Sequence, residues 1–162
     1  MQEQVQAFHL EMMRAALRLS REKMAAGLGG PFGAIVARGT EIVAEGWNQV
    51  TSANDPTAHA EITAIRAASR ALHSFDLRGH SLYTSCEPCP MCLGAIYWAR
   101  LDAVYYANTR EDAALIGFDD DHIYREFAKT IEGRDIPFVK LDLPEAAAAF
   151  QAWTAKPDKI LY

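Results

Sequence analysis

Ser81-Leu82-Tyr83-Thr84-Ser85-Cys86-Glu87-Pro88-Cys89-Pro90-Met91-Cys92 passes from one kind of structure to another within twelve residues. Ser81–Thr84 reads as a short strand, entered from the turn Arg78-Gly79-His80. Pro90 is suited to a first helical position, because the N–H it lacks would have no partner there. A helix is therefore expected from Pro90 to about Arg100. Upstream, Asn54-Asp55-Pro56-Thr57 is a turn and helix start. The helix that follows, about Ala58 to Leu72, buries Ile62, Ile65, Ala68, Ser69 and Leu72 on one face. A helix of about 14 residues spans roughly 21 Å, and the turn plus the Ser81–Thr84 strand cover the return. The beginnings of the two helices are thus expected at the same end of a layer.

The rest of the chain fits around that unit. Val5 to Ala26 reads as a helix, with Phe8, Met12, Ala15, Ala16, Leu19 and Met24 at helical spacing. Gly27-Leu28-Gly29-Gly30-Pro31 stops it. Gly33–Arg38 and Glu41–Val50 read as strands joined at Gly39-Thr40, a hairpin. Beyond the second helix, Ala103–Ala107 is a strand, and Arg110–Ala114 and Asp120–Lys129 are short helices around the loop 117–119. Ile136–Leu141 is expected as a last strand and Leu143–Ala155 as a closing helix. No linker, repeat or low-complexity tract interrupts the order, so residues 1–162 are read as one α/β layered domain.

Composition narrows the function. In 162 residues, 50% are hydrophobic and 23% charged, which excludes disorder, collagen and coiled coil. Lys and Arg number 16 against 21 Asp and Glu, a net charge of −5 with no basic run, so a sequence-independent grip on nucleic-acid backbones is not expected. No apolar run approaches the roughly 18 residues of a membrane span. The start, Met1-Gln2-Glu3-Gln4-Val5-Gln6, has no signal-peptide pattern, and a cytoplasmic protein is expected. Three cysteines between Cys86 and Cys92 do not make a disulfide framework; in a reducing compartment they read as metal-binding or catalytic.

His59-Ala60-Glu61 opens the first helix, and Pro88-Cys89-Pro90-Met91-Cys92 opens the second. Helix N-termini favour thiolates, since unpaired N–H groups and the positive dipole end face them. His59, Cys89 and Cys92 give three ligands to Zn²⁺, and three protein ligands with an open fourth position is the catalytic arrangement. Such a site brings bound water to a pKa near 7. Glu61 is then placed to carry its proton to substrate. H-x-E followed by P-C-x-x-C is the signature of zinc deaminases that act on nucleobases. Each half alone is weak; the two in this order, thirty residues apart, are specific.

Blander readings stand beside this one. Cys89 and Cys92 fit a thioredoxin-like redox pair, but that leaves His59 and Glu61 without work. Cys86 as a fourth ligand would close the site and make it structural; a packed thiol is the better reading. His9, His73, His80 and His122 read as ordinary surface or turn histidines. Taken alone, Asp119-Asp120-Asp121 would be a solvated loop or helix cap, Asn48 a turn residue, Phe32 core, and Tyr162 a frayed tail.

The chain resembles the cytidine-deaminase-like superfamily of zinc nucleobase deaminases, and within it the bacterial guanine deaminases. The likeness extends beyond the zinc motif to 29–34, 54–61, 83–100, Gly117-Phe118-Asp119-Asp120, Phe150-Gln151-Ala152-Trp153 and the terminal Tyr162. It implies a three-layer α-β-α fold with a mixed five-stranded central sheet. It also implies one zinc per subunit on His59, Cys89 and Cys92, with zinc hydroxide attacking C2 of guanine and Glu61 as proton shuttle. Asp120 would be a second catalytic carboxylate that contacts the guanine edge. Asn48 and the backbone of Ala60 would hold the purine, Phe32 would pack beside it, and Tyr162 would close the pocket. A homodimer is implied, with the C-terminal segment (about 143–162) exchanged between subunits. The products would be xanthine and ammonia. The alternatives are a tRNA-specific adenosine deaminase, a deaminase of a related aminated purine or triazine, and a non-catalytic zinc-binding interaction domain.

Overall fold

Strand β1 (Gly33–Arg38) is the middle of the architecture: it pairs antiparallel with β2 (Glu41–Trp47) on one side and with β3 (Ser81–Cys86) on the other. β4 (Ala103–Asn108) runs parallel to β3 and completes a mixed sheet of order β2-β1-β3-β4. The computed structural model describes residues 2–162. They fall into two compact units, Met1–Asp120 and Asp121–Tyr162.

The first unit is layered. α1 (Gln2–Ala25) covers one face of the sheet, where Met12, Ala15, Ala16 and Leu19 pack with Ile35, Ala37 and Tyr83. After a single helical turn, α2 (Val50–Ala53), come α3 (Ala60–Leu72) and α4 (Pro90–Ala99), which cover the other face. There Ala60, Ala64, Ile65, Ala68, Ile96 and Ala99 meet Ala34, Val36 and Leu82. The alternation along β1, Ala34 and Val36 one way and Ile35 and Ala37 the other, is the period of a strand buried on both faces. Ile35, Val36 and Leu82 are wholly buried, each contributing about 1.5–3 kcal/mol before entropy is counted.

α3 lies close on β2, and Gly46 is the reason. A Cβ at Gly46 would come within 2.3 Å of Ala64 N and 2.4 Å of Ala60 O, so only glycine lets the first turns of α3 rest on the strand. That contact fixes where the start of α3 points. The short α5 (Arg110–Leu115) begins with a capping box in which Thr109 and Asp112 bond each other's backbone N–H.

The second unit holds α6 (Asp121–Ala128), a 3₁₀ turn at Ile131–Gly133, another at Pro144–Ala147, and α7 (Ala148–Ala155). Here the expected fifth strand is corrected. Ile136–Leu141 forms no ladder, and the sheet has four strands among the described residues. A strand exists only with a partner, and the apolar character of most of these six residues supplies none. Two smaller corrections concern ends. The second strand stops at Trp47, freeing Asn48, and Val50 starts a helical turn. Leu72, expected on the buried face of its helix, is exposed at the last turn.

Candidate functional site

The two helix beginnings do meet. His59 is the N-cap of α3 and Cys89 the N-cap of α4, and neither side chain caps its helix. Cys92 is the third residue of α4, and N-cap and N3 side chains lie against each other on any helix. His59 Nδ1 therefore stands 3.5 Å from Cys89 Sγ and 3.6 Å from Cys92 Sγ. Zinc bonds of about 2.0–2.1 Å to imidazole and 2.3 Å to thiolate, at a tetrahedral angle, set such donors about 3.5 Å apart. The donor set has the size and chemistry of a three-ligand zinc site, and all three ligand atoms lie within 4.8 Å of one another.

Cys89 and Cys92 shift each other's thiols in opposite directions. The hydrogen bond from Cys92, aided by His59, pulls the Cys89 thiol down to about 4, while its hydrogen bond to Cys89 and its burial push Cys92 up. The bond to Cys89 raises His59 as well. The shift on Cys89 favours the thiolate, the form of the side chain that ligates metal. Cys86 stays outside the group: its thiol donates to Thr109 O at 3.4 Å, and burial raises it to about 11. It is the packed thiol that the sequence suggests.

Glu61 is buried, 6% exposed, in the first turn of α3. Its Oε1 accepts from the Thr84 hydroxyl at 3.3 Å, and its Oε2 from the Cys92 thiol at 3.5 Å. Burial raises its pKa, which moves the carboxyl towards the range where it gives and takes protons near neutral pH. Asp120, the last residue of the first unit, is half-buried. Burial first and the charge on Cys89 second raise its pKa, and its own charge raises that of His59. A second carboxylate thus stands within electrostatic reach of the metal ligands.

Asn48 leaves the end of β2 into a cradle of backbone. A Cβ at Gly29, whose φ is +152°, would fall 1.7 Å from Asn48 O, so the glycine segment can wrap this residue only without side chains. Asn48 Oδ1 accepts from Gly30 N at 3.4 Å and Val50 N at 3.2 Å. These two bonds commit the side-chain oxygen to the backbone. Phe32 is half-buried beside it and meets Phe118 edge-on, ring centroids 4.9 Å apart. Ala60 is the first residue of α3, where an N–H has no acceptor within the helix. Tyr162 belongs to the second unit and is exposed.

Sequence reasoning gave no part to two residues here. Thr84 hides in strand alternation. Phe118 stands in a quoted segment, and its only signal is an aromatic two positions before Asp120. His80, read as a turn or surface histidine, is 5% exposed; its Nδ1 lies 3.1 Å from Leu77 O and Arg78 O. In the second unit His122, Glu126 and Asp135 also cluster, but the Lys129 ammonium, bonded to both carboxylates, already supplies the cation.

Residues 6–108 match the family model of the cytidine and deoxycytidylate deaminase zinc-binding region. With the ligand geometry above, the chain belongs to this family of zinc-dependent deaminases. It is 54% identical over 145 residues to the guanine deaminase of Bacillus subtilis (strain 168), covering 90% of this chain and 93% of that protein. The X-ray structure of guanine deaminase from Bacillus subtilis superposes with a TM-score of 0.93, at 52% identity, over 95% of this chain and 98% of that one. The tRNA-specific adenosine deaminase of Haemophilus influenzae is 38% identical over 119 residues, covering 70% of this chain and 68% of its own. No helix among the described residues is long and apolar enough to cross a membrane.

Proposed function

We propose that this protein is a zinc-dependent guanine deaminase, converting guanine and water to xanthine and ammonia. The observation that carries the reading is a three-ligand metal site with a buried carboxylate beside it, in a chain whose likeness to a guanine deaminase runs along nearly its full length. The likeness to a tRNA adenosine deaminase takes in less of both chains, and the net charge of −5 suits a free base better than an RNA loop.

Zinc held by His59, Cys89 and Cys92 would leave its fourth position to a water and lower that water's pKa to near 7. Glu61 would take a proton from the water whose oxygen bonds to C2 and pass it to N3, the ring nitrogen beside C2 that carries none. Asp120 takes the proton that the new C2 hydroxyl loses as it becomes the carbonyl of xanthine, and delivers it to the amino group, which leaves as ammonia as its C–N bond breaks. Asn48 Nδ2 and the Ala60 N–H hold the purine edge, and Phe32 packs beside the ring. Tyr162 closes the pocket, which leaves no room for a ribose at N9.

The chain acts as one deaminase domain per subunit in a cytoplasmic homodimer, with the segment 143–162 exchanged between two copies. Two features support this. Among the described residues β4 has a partner on one side only, and the segment 136–141 is largely apolar and outside the sheet, with Ile136, Val139 and Leu141 each more than 70% exposed. Unpaired edges and exposed apolar runs of this kind are usually covered.

The test is ammonia release from guanine, guanosine, cytidine, adenine and a tRNA anticodon stem-loop by the zinc-loaded protein. Turnover of guanine, with guanosine left intact, is expected. Activity on the stem-loop alone would replace this reading with RNA editing.

A further inference from the structure

Thr84 is a polar residue on an apolar face. Its neighbours on that side of the sheet, Ala34, Val36 and Leu82, build the core beneath α3, and Thr84 itself is 1% exposed. A buried hydroxyl without a partner is costly. The partner of Thr84 is Glu61: its Oγ1 donates to Glu61 Oε1 at 3.3 Å, across from the strand to the helix.

We propose that Thr84 is a positioning residue for the deamination: its hydroxyl holds Oε1 of Glu61 and so keeps Oε2 turned towards the metal ligands and the reacting atoms. The assignment rests on the deaminase reading above. A glutamate has three side-chain torsions, and a proton carrier misplaced by an ångström loses much of its effect. The two oxygens of Glu61 have different surroundings. Oε2 faces Cys92 Sγ at 3.5 Å, on the side of the metal ligands, whereas Oε1 faces β3. β3 is an interior strand, paired with β1 and with β4, and threonine is stiff about its first torsion. The donor is therefore fixed to an interior strand of the sheet rather than to the helix that bears the carboxylate. Such supporting hydrogen bonds orient a site's groups without touching substrate.

Thr84→Val keeps the shape and removes the donor, and Thr84→Ser restores it. The expected result is a fall in kcat for guanine of about 10–100-fold in Thr84→Val, with KM within about twofold and most of the loss recovered in Thr84→Ser. Zinc content is measured in each variant and is expected to stay at the parent level. Thermal stability supplies a readout independent of turnover. Thr84→Val lowers Tm in the parent but not in a Glu61→Ala background, where the hydroxyl has already lost its acceptor. Unchanged kcat in Thr84→Val, a Thr84→Ser variant as slow as Thr84→Val, or the same Tm loss in both backgrounds overturns the proposal. A parent protein inert towards guanine overturns the functional reading instead, and the Tm cycle then still decides whether Thr84 holds Glu61.

Discussion

At the scale of single residues, the proposed mechanism separates the residues that would hold a metal, His59, Cys89 and Cys92, from those that would move protons, Glu61 and Asp120. His59, Cys89 and Cys92 were legible because two of them are helix N-caps and the third is N3, positions that a spacing of residues encodes directly. Thr84 and His80 were not, because burial is decided by what packs from elsewhere in the chain. Asp120 lies between: as sequence it is one of three adjacent aspartates, and only the fold brings its charge to bear on Cys89 and His59. If it delivers a proton to the leaving amine, Asp120→Asn lowers kcat/KM for guanine by about 10²-fold or more, while zinc content is unchanged. Steady-state kinetics on guanine checks this, and full activity in the variant would remove Asp120 from the mechanism.

At the scale of elements, the strand–helix unit from Ser81 onward was readable from its period and from Pro90, and four of the five expected strands formed. The fifth did not, since an apolar run reports a tendency to be covered and not the presence of a strand partner. The turn that brings α3 back to β3 is held by charge. Asp76 accepts from Arg78 Nε at 2.9–3.0 Å and lies 3.8 Å from Arg100, which ends α4. Hydrogen bonds from Arg78 hold the Asp76 carboxyl at about 2, below the roughly 3.9 of an unfolded chain. A depressed folded-state pKa contributes stability above the unfolded value and loses it as pH falls towards the folded one. Asp76→Asn is therefore expected to lower the urea midpoint at pH 7, and the gap from the parent to close progressively below about pH 4. A gap that stays constant down to pH 2.5 would contradict this role for the charge.

At the scale of the whole molecule, the first unit accounts for the metal site, whereas the second carries apolar residues that its own 42 residues do not bury, among them Phe150 at 80% and Leu161 at 73% exposed. Little in the sequence distinguishes such a segment from core, because hydrophobic pattern says that a residue is covered and not by which chain. The proposed exchange predicts a mass in solution of twice 17.9 kDa by light scattering; a monomer at micromolar concentration would contradict it. The account as a whole turns on Glu61 beside a three-ligand zinc site acting on a free base. Its most direct test is ammonia release from guanine by zinc-loaded parent and Glu61→Ala protein, with metal content measured on the same samples. The account predicts turnover by the parent and a loss of at least about 10²-fold in Glu61→Ala at equal zinc content. Equal rates in the two proteins, or no release from guanine by a parent that holds its zinc, would contradict it.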